Sequence, residues 1–317
     1  MSGAAASATV LPDLIARHQP WHWPALLAGP ALVLTAFLPR ELGWICELAA
    51  IIVLGVPHGA LDGEIARDVL RPRLGWAWFP VFSLPYLSLF AFVLASWYVA
   101  PLSTLAIFLA ASVWHFGSED APAGAMLEAL IRGGLPIALP VLLHPATTAF
   151  VLATIAHVSF AQPPEWLWAG SLCWLVLAVL WLGLTISRGA QRGLVVPGVL
   201  AGIFIVLPPL AAFAIYFVCV HAPTHTAALI HNPLRARRVY DDRNALILAL
   251  PLTGLTLLIG AALWPLYTGQ VPERLLSLTI QILAALTLPH MLLDTWLTLR
   301  ERSIMFNSQT RLCHEQS

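Results

Sequence analysis

Long, continuous apolar runs dominate the chain. They fall at 24–39, 44–60, 79–99, 102–117, 124–143, 147–161, 166–187, 197–225, 245–267 and 274–298. A membrane-spanning helix needs roughly 20 mostly apolar residues. A spanning β-barrel would instead show short segments of alternating apolar and polar residues. The pattern predicts an all-α, multi-pass transmembrane bundle of about ten helices. A polar N-terminal segment over 1–23 precedes a single helical domain over 24–302, and a polar, loose tail follows over 303–317. With 25 prolines and 20 glycines, kinks and close helix contacts are expected, which bundles tolerate where neighbours re-satisfy the backbone.

Composition narrows the class. Hydrophobic residues make up 59% of the 317 residues and charged ones 10%, against about a quarter charged in ordinary globular chains. Net charge is zero, so nothing points to nucleic acid. Cys46, Cys173, Cys219 and Cys313 are scattered without a CxxC, which indicates neither a disulfide framework nor a zinc ribbon. The N-terminus lacks the basic-then-apolar pattern of a cleaved signal peptide. All 16 basic residues are arginine. Without a lysine amine for a Schiff base, the chain is not an opsin of the retinal-binding kind.

Strict alternation of ten helices sorts the arginines. One face receives Arg17, Arg67, Arg71, Arg73, Arg235, Arg237, Arg238, Arg243, Arg300 and Arg302; the other receives Arg40, Arg188, Arg192 and Arg274. The positive-inside rule makes the first face cytoplasmic. Both termini are then cytoplasmic, in the cell (inner) membrane.

The same alternation gathers histidines. His58, His115, His157, His221, His225 and His290 all fall near the cytoplasmic ends of inward-running helices, and His144 falls on the opposite side. Ionisable residues inside a membrane are costly and usually functional. His221 and His225, four apart, share a helical face and form a two-imidazole clamp that His58 and His115 complete as a four-histidine metal site. Imidazole suits Fe, Cu, Zn and Ni.

Acids follow the same spacing. Pro-His-x-x-Leu-Asp occurs twice, at 57–62 and 289–294. Asp62, Glu119 and Asp294 each stand four residues after a histidine (His58, His115 and His290), as carboxylates that orient metal-bound imidazoles do. The bland alternative makes Asp62 and Glu119 loop acids beside Arg67. His144 and His157 read as helix caps or carbonyl donors, and His18, His22 and His314 as solvated. Trp114, Phe116, Phe160, Tyr216, Phe217 and Trp296 are candidates for the walls of an apolar substrate tunnel.

The blocks "GVPHGALD", "WHFGSED", "CVHAPTHTAAL" and "LPHMLLD" resemble the signature blocks of the Brp/Blh family of membrane β-carotene 15,15′-dioxygenases, in the family's order. The resemblance implies an Fe(II)- and O2-dependent enzyme of the inner membrane that cleaves β-carotene, or a related carotenoid, centrally to two molecules of all-trans-retinal. It implies His58, His115, His221 and His225 as iron ligands, with His290 in a further block of less defined role. A functional link to a retinal-binding opsin is compatible with that product and is written in no residue of this chain. Three readings compete, one of them a bis-histidine haem protein, which a Soret band would reveal. A membrane di-iron hydroxylase or desaturase needs about eight clustered histidines, more than are gathered here. A transporter with histidine proton relays predicts discontinuous helices and a cluster at mid-membrane.

Overall fold

The computed structural model describes residues 22–122, 124–232 and 235–315, with the backbone alone at 22–27 and 301–315. His18, and the side chains of His22 and His314, lie outside the described residues. Among those described there are ten uninterrupted helical stretches and no strand. Seven are long and apolar enough to cross a membrane. The chain is an all-helical membrane protein.

Helix α1 (His22–Thr35) leads to α2 (Arg40–Ala50), which runs through a π turn (Ile51–Gly55) and a 3₁₀ turn (Val56–Leu61) into α3 (Asp62–Leu74). Gly75, at φ 55°, turns the chain so that α4 (Trp78–Val99) packs back on α3. Then follow α5 (Pro101–Asp120), α6 (Met126–Leu143), α7 (Pro145–Ala156), α8 (Glu165–Ser187) and α9 (Val195–Val206). Next, α10 (Pro209–Tyr216) passes through a second π turn (Phe217–His221) into α11 (Ala222–Ile230), before α12 (Asp242–Leu263) and α13 (Val271–Glu315). The expected loose tail instead continues α13 to Glu315; after Pro289 no proline or glycine interrupts it.

Leu48, Ile51, Leu105, Phe204, Tyr216 and Leu276 are fully buried at the centre. Val176, Val179 and Leu258 on α8 and α12 face outward, as apolar side chains on membrane-spanning helices do. The closest crossing joins α5 to α6. A Cβ on Gly133 would overlap the Val113 carbonyl oxygen, and one on Gly117 the Ala129 carbonyl oxygen. Small residues here let backbones touch, the main source of helix association where no hydrophobic effect acts. The contact lies beside His115.

Two elements differ from the sequence expectation. The run 197–225 is not one helix. Pro208 and Pro209 hold Leu207 extended (φ −98°, ψ 154°), because a proline ring excludes the helical region for the preceding residue. Helix α9 runs beside α6 in the same direction: the Arg132 guanidinium reaches the Gly193 carbonyl (3.3 Å), and the His144 imidazole the Phe204 carbonyl (3.2 Å). Helix α10 then returns to the histidine end. The run 147–161, in turn, does not span. With 12 residues, α7 is about 18 Å long. It ends in the half away from the histidines, where its Thr154 and Ile155 carbonyls accept from Ser277 and Gln281 on the early turns of α13 (2.9 and 2.7 Å).

These differences offset each other, so the later helices keep their expected direction. They move residues 188–194 to the histidine end. Arg188 and Arg192 therefore join the arginine-rich face, leaving Arg40 and Arg274 at the opposite end. His157 also leaves the cluster. It caps α7 in the left-handed conformation (φ 54°), its ring 5.7 Å from that of Tyr267.

Reporter fusions after Arg192 and after Arg238 are expected to report the same membrane face, and a fusion within 267–270 the other. The positive-inside rule makes the first face cytoplasmic. Opposite faces for Arg192 and Arg238 would contradict the path of α9.

Candidate metal centre

Irregular backbone prepares the site. Two π turns face each other, one before His58 and one ending on His221. A Cβ on Gly55 would overlap the Phe217 ring, so only glycine lets the turns meet this closely. A π turn shifts the hydrogen-bond ladder and leaves carbonyls free. The Gly55 carbonyl accepts from His58 Nδ1, which directs Nε2 of that ring inward.

Five imidazoles from four continuous helical stretches converge, His221 and His225 sharing one. The His58 ring centroid lies 5.4 Å from those of both His221 and His225 and 6.1 Å from that of His290. His115 is 5.1 Å from His221 and 5.3 Å from His290, and His225 is 5.2 Å from His290. All five are buried.

Each ring has a distinct setting. His290 Nδ1 donates to Asp62 (2.8 and 3.0 Å to its two oxygens), and Tyr86 Oη donates to the same carboxylate (2.9 Å). His221 Nδ1 lies 3.4 Å from Asp120 Oδ1, while Tyr216 Oη donates to Asp120 Oδ2. His115 Nδ1 stands 3.4 Å from Glu119 Oε1. Glu119 also faces the other rings, 3.7 Å from His221 Nε2 and 3.6 Å from His290 Nε2.

Within the cluster, four buried polar atoms stay without a hydrogen-bond partner: His221 Nε2, His290 Nε2, His225 Nδ1 and Glu119 Oε2. Leaving such an atom unpaired costs about 1–3 kcal/mol. Because Nδ1 of His221 and of His290 serves a carboxylate, the opposite nitrogen presents a lone pair. Converging lone pairs repel unless a cation shares them. Charge points the same way: the polar partners of Asp62, Glu119 and Asp120 are imidazoles and tyrosine hydroxyls.

The spacing brings two sets of three donors near enough to share an ion, and His225 belongs to neither set. Ligand atoms of His58, His115 and His221 lie within 4.8 Å of one another, as do those of His115, Glu119 and His290. Three equally spaced nitrogens bound to one zinc-like ion at ~2.1 Å stand about 3.6 Å apart, so inward movements of up to about 0.7 Å each close the difference.

The four expected histidines and His290 thus meet, while the acids are distributed differently. Asp62 serves His290 rather than His58. His58 lies in a 3₁₀ turn, where three residues complete a turn and the fourth swings off the shared face. Asp294 leaves the site altogether, paired with Arg235. Asp120 and Tyr86 were not singled out from sequence. Asp120 carries no i,i+4 signal toward a histidine, and Tyr86 sits unmarked in an apolar helix.

A cavity of about 220 Å³ opens beside the rings. His58, His115 and His290 form part of its wall, and Phe82, Phe90, Phe213 and Leu283 much of the rest. Of the expected tunnel aromatics, Phe116 and Phe217 line it. Tyr216 is buried behind Asp120. Trp114 and Trp296 are exposed on the outer surface. Phe160 lines a separate depression beside His157.

Comparison with known proteins yields one family. The profile described as β-carotene 15,15′-dioxygenase matches residues 49–298. The chain is 29% identical to the probable β-carotene 15,15′-dioxygenase Blh of Halobacterium salinarum, over 86% of this chain and 92% of that protein. It is 27% identical to the β-carotene 15,15′-dioxygenase of the uncultured marine bacterium 66A03, over 78% of this chain and 91% of that protein. No solved structure matches. The matched span contains all five clustered histidines and both π turns, and the chain belongs to the β-carotene 15,15′-dioxygenase family.

Proposed function

We propose that this protein cleaves β-carotene, or a closely related carotenoid, at its central double bond, and that the histidine cluster holds one Fe(II) for the purpose. The observation that carries the reading is a buried cluster of imidazoles, three of them with a partnerless ring nitrogen, from which His58, His115 and His290 reach the wall of an apolar cavity inside a membrane bundle. A dissolved polyene meets such a cavity without entering water.

The reaction balances without a reductant. One carbon–carbon double bond breaks, each carbon takes one atom of O2, and β-carotene becomes two molecules of all-trans-retinal. Bound Fe(II) supplies the activation of dioxygen. His58, His115, His221 and His225 would hold it, with His290 and Glu119 as further donors. Asp120 and Asp62 fix the tautomers of His221 and His290, and the Gly55 carbonyl fixes that of His58. Phe116, Phe213 and Phe217 exclude water and hold the polyene beside the rings. No side chain has to move a proton to or from the hydrocarbon. We place the protein in the cell inner membrane with both termini cytoplasmic, from the arginine distribution.

In cells that make β-carotene, the wild type is expected to bleach the pigment and yield two retinal per carotene lost. Single changes of His58, His115, His221 or His225 to alanine should abolish cleavage at normal membrane levels of protein. His144→Ala should stay active, because that ring serves a carbonyl at the opposite end. Intact carotenoids with well-expressed wild type would end the dioxygenase reading. Full activity in any two of the four ligand variants would end the ligand assignment.

The acids give a second test. Asp62→Asn and Asp120→Asn should lower iron affinity or turnover roughly 10–100-fold, as loss of a ligand's orienting partner does. Asp294→Asn should keep both within about twofold, since its pair with Arg235 is partly exposed and such pairs contribute little. Iron content and retinal yield of the three variants check this. An Asp294→Asn loss equal to that of Asp62→Asn would contradict the observed pairing.

A further inference from the structure

A second apolar chamber, of about 120 Å³, adjoins the histidine cavity. The two share Phe108, Ser112, Phe116, Phe213 and Ile280 as walls. The Phe116 and Phe213 rings, 6.3 Å apart between centroids, stand at the junction. Beyond them the chamber is lined by Leu109, Ile137, Val151, Leu152 and Leu276, and residues 148–155 of α7 with the first turn of α10 form its far wall. We propose that this inner chamber seats one end of the polyene, and that its depth sets which double bond lies beside the histidines.

The chamber's chemistry selects hydrocarbon. Its two hydroxyl-bearing residues are already satisfied within the bundle: Ser112 donates to the Phe108 carbonyl and Thr148 to the Pro140 carbonyl, both at 2.8 Å. No polar atom there waits for a ligand. Protein interiors are close-packed, and unfilled apolar space is destabilising. A chamber that adjoins the site and asks for no hydrogen bond fits an apolar end group.

The length fits as well. Along α13, His290 to Ile280 is ten residues, or about 15 Å, and His290 to Leu276 about 21 Å. A C40 polyene is about as long as the hydrocarbon core is thick, ~30 Å, so its midpoint lies about 15 Å from either end. An end group seated between Ile280 and Leu276 therefore brings the middle of the chain to the level of His290. The other half leaves through the outer mouth of the histidine cavity, where Phe79, Leu87 and Leu255 are exposed between α4 and α12. The short α7 makes this possible. Its 12 residues occupy only the far half of the bundle and give the chamber an end.

This inference rests on the carotenoid-cleaving function, and the test separates the two. Ile137→Trp and Val151→Trp each fill the chamber from a partly buried position; membrane level and iron content report folding and site integrity. Each variant is given β-carotene and, separately, an apocarotenal that keeps one ring and lacks the other end. Product lengths are read by chromatography, and β-carotene binding under argon by the shift of its absorption band. Filling should weaken β-carotene binding and cleavage by roughly 10–100-fold, the scale of misfit in an apolar pocket. Residual cleavage should move off centre, to two aldehydes of unequal length. The shorter apocarotenal should still be cleaved at its original bond within about twofold of wild type. Symmetric, wild-type-rate cleavage of β-carotene by both filled variants would overturn the proposal, as would equal loss of both substrates at normal iron content. Wild type inert toward both substrates would instead overturn the functional reading beneath it.

Discussion

A buried lone pair with no water in reach must find a donor or a cation, and that constraint organises this bundle around its histidines. Away from them many polar groups are paired within the bundle, although Glu47 Oε2, Trp97 Nε1 and Thr253 Oγ1 are buried without a hydrogen-bond partner. Hydroxyls of Thr104, Thr148 and Ser112 return to backbone carbonyls, and Gln281 ties α7 to α13 while accepting from Tyr267. Around the cluster the pairing goes only halfway. Gly55, Asp62 and Asp120 take up one nitrogen each of His58, His290 and His221. The opposite nitrogens of His290 and His221 stay bare and face each other's neighbours. Arranged pairing on one side of a ring and an empty lone pair on the other is what a metal ligand requires. The two π turns, meeting through Gly55 and Phe217, make the arrangement reachable for a helical backbone.

The surroundings then match the chemistry. A histidine proton relay needs its rings hydrogen-bonded to one another or to water along a path across the membrane. Here the rings cluster edge to face within 5.1–6.1 Å, beside a cavity walled by phenylalanine and leucine. That wall offers a hydrocarbon a place next to the lone pairs and offers an ion no route onward. Short, glycine-lined contact between α5 and α6 at Gly117 and Gly133 fixes His115 relative to the other rings. A loosened crossing there would displace one donor from the rest.

Much of this was legible in the sequence, for definable reasons. Apolar runs long enough to span are unmistakable, and an ionisable residue within such a run stands out against its neighbours. His58, His115, His221, His225 and His290 could be gathered on one level by helix direction alone. Fixed i,i+4 spacing failed where the backbone left the α-helix: the 3₁₀ turn at Val56–Leu61 rotates Asp62 from His58 to His290, a contact across 228 positions of sequence that no local pattern encodes. Asp120 was hidden because it reaches His221 on another helix. The break at Leu207 was signalled by Pro208-Pro209 but outweighed by the continuous apolar character of 197–225. The non-spanning α7 was hidden for the same reason, as hydropathy does not distinguish a crossing from a half-length helix packed inside the bundle. Cavity walls such as Phe82 and Phe213 carry no sequence mark at all, since apolar residues facing lipid and facing substrate are the same residues.

The central claim is that the five-imidazole cluster is a single iron site. Iron X-ray absorption of the purified, anaerobically reconstituted protein, with its iron counted per chain, tests it most directly. The account predicts one iron per chain, a first shell of light donors with the outer-shell scattering of several imidazoles, no Soret band, and loss of that signature in His221→Ala. A fully active protein without iron, a haem spectrum, or a coordination shell lacking imidazole would contradict it.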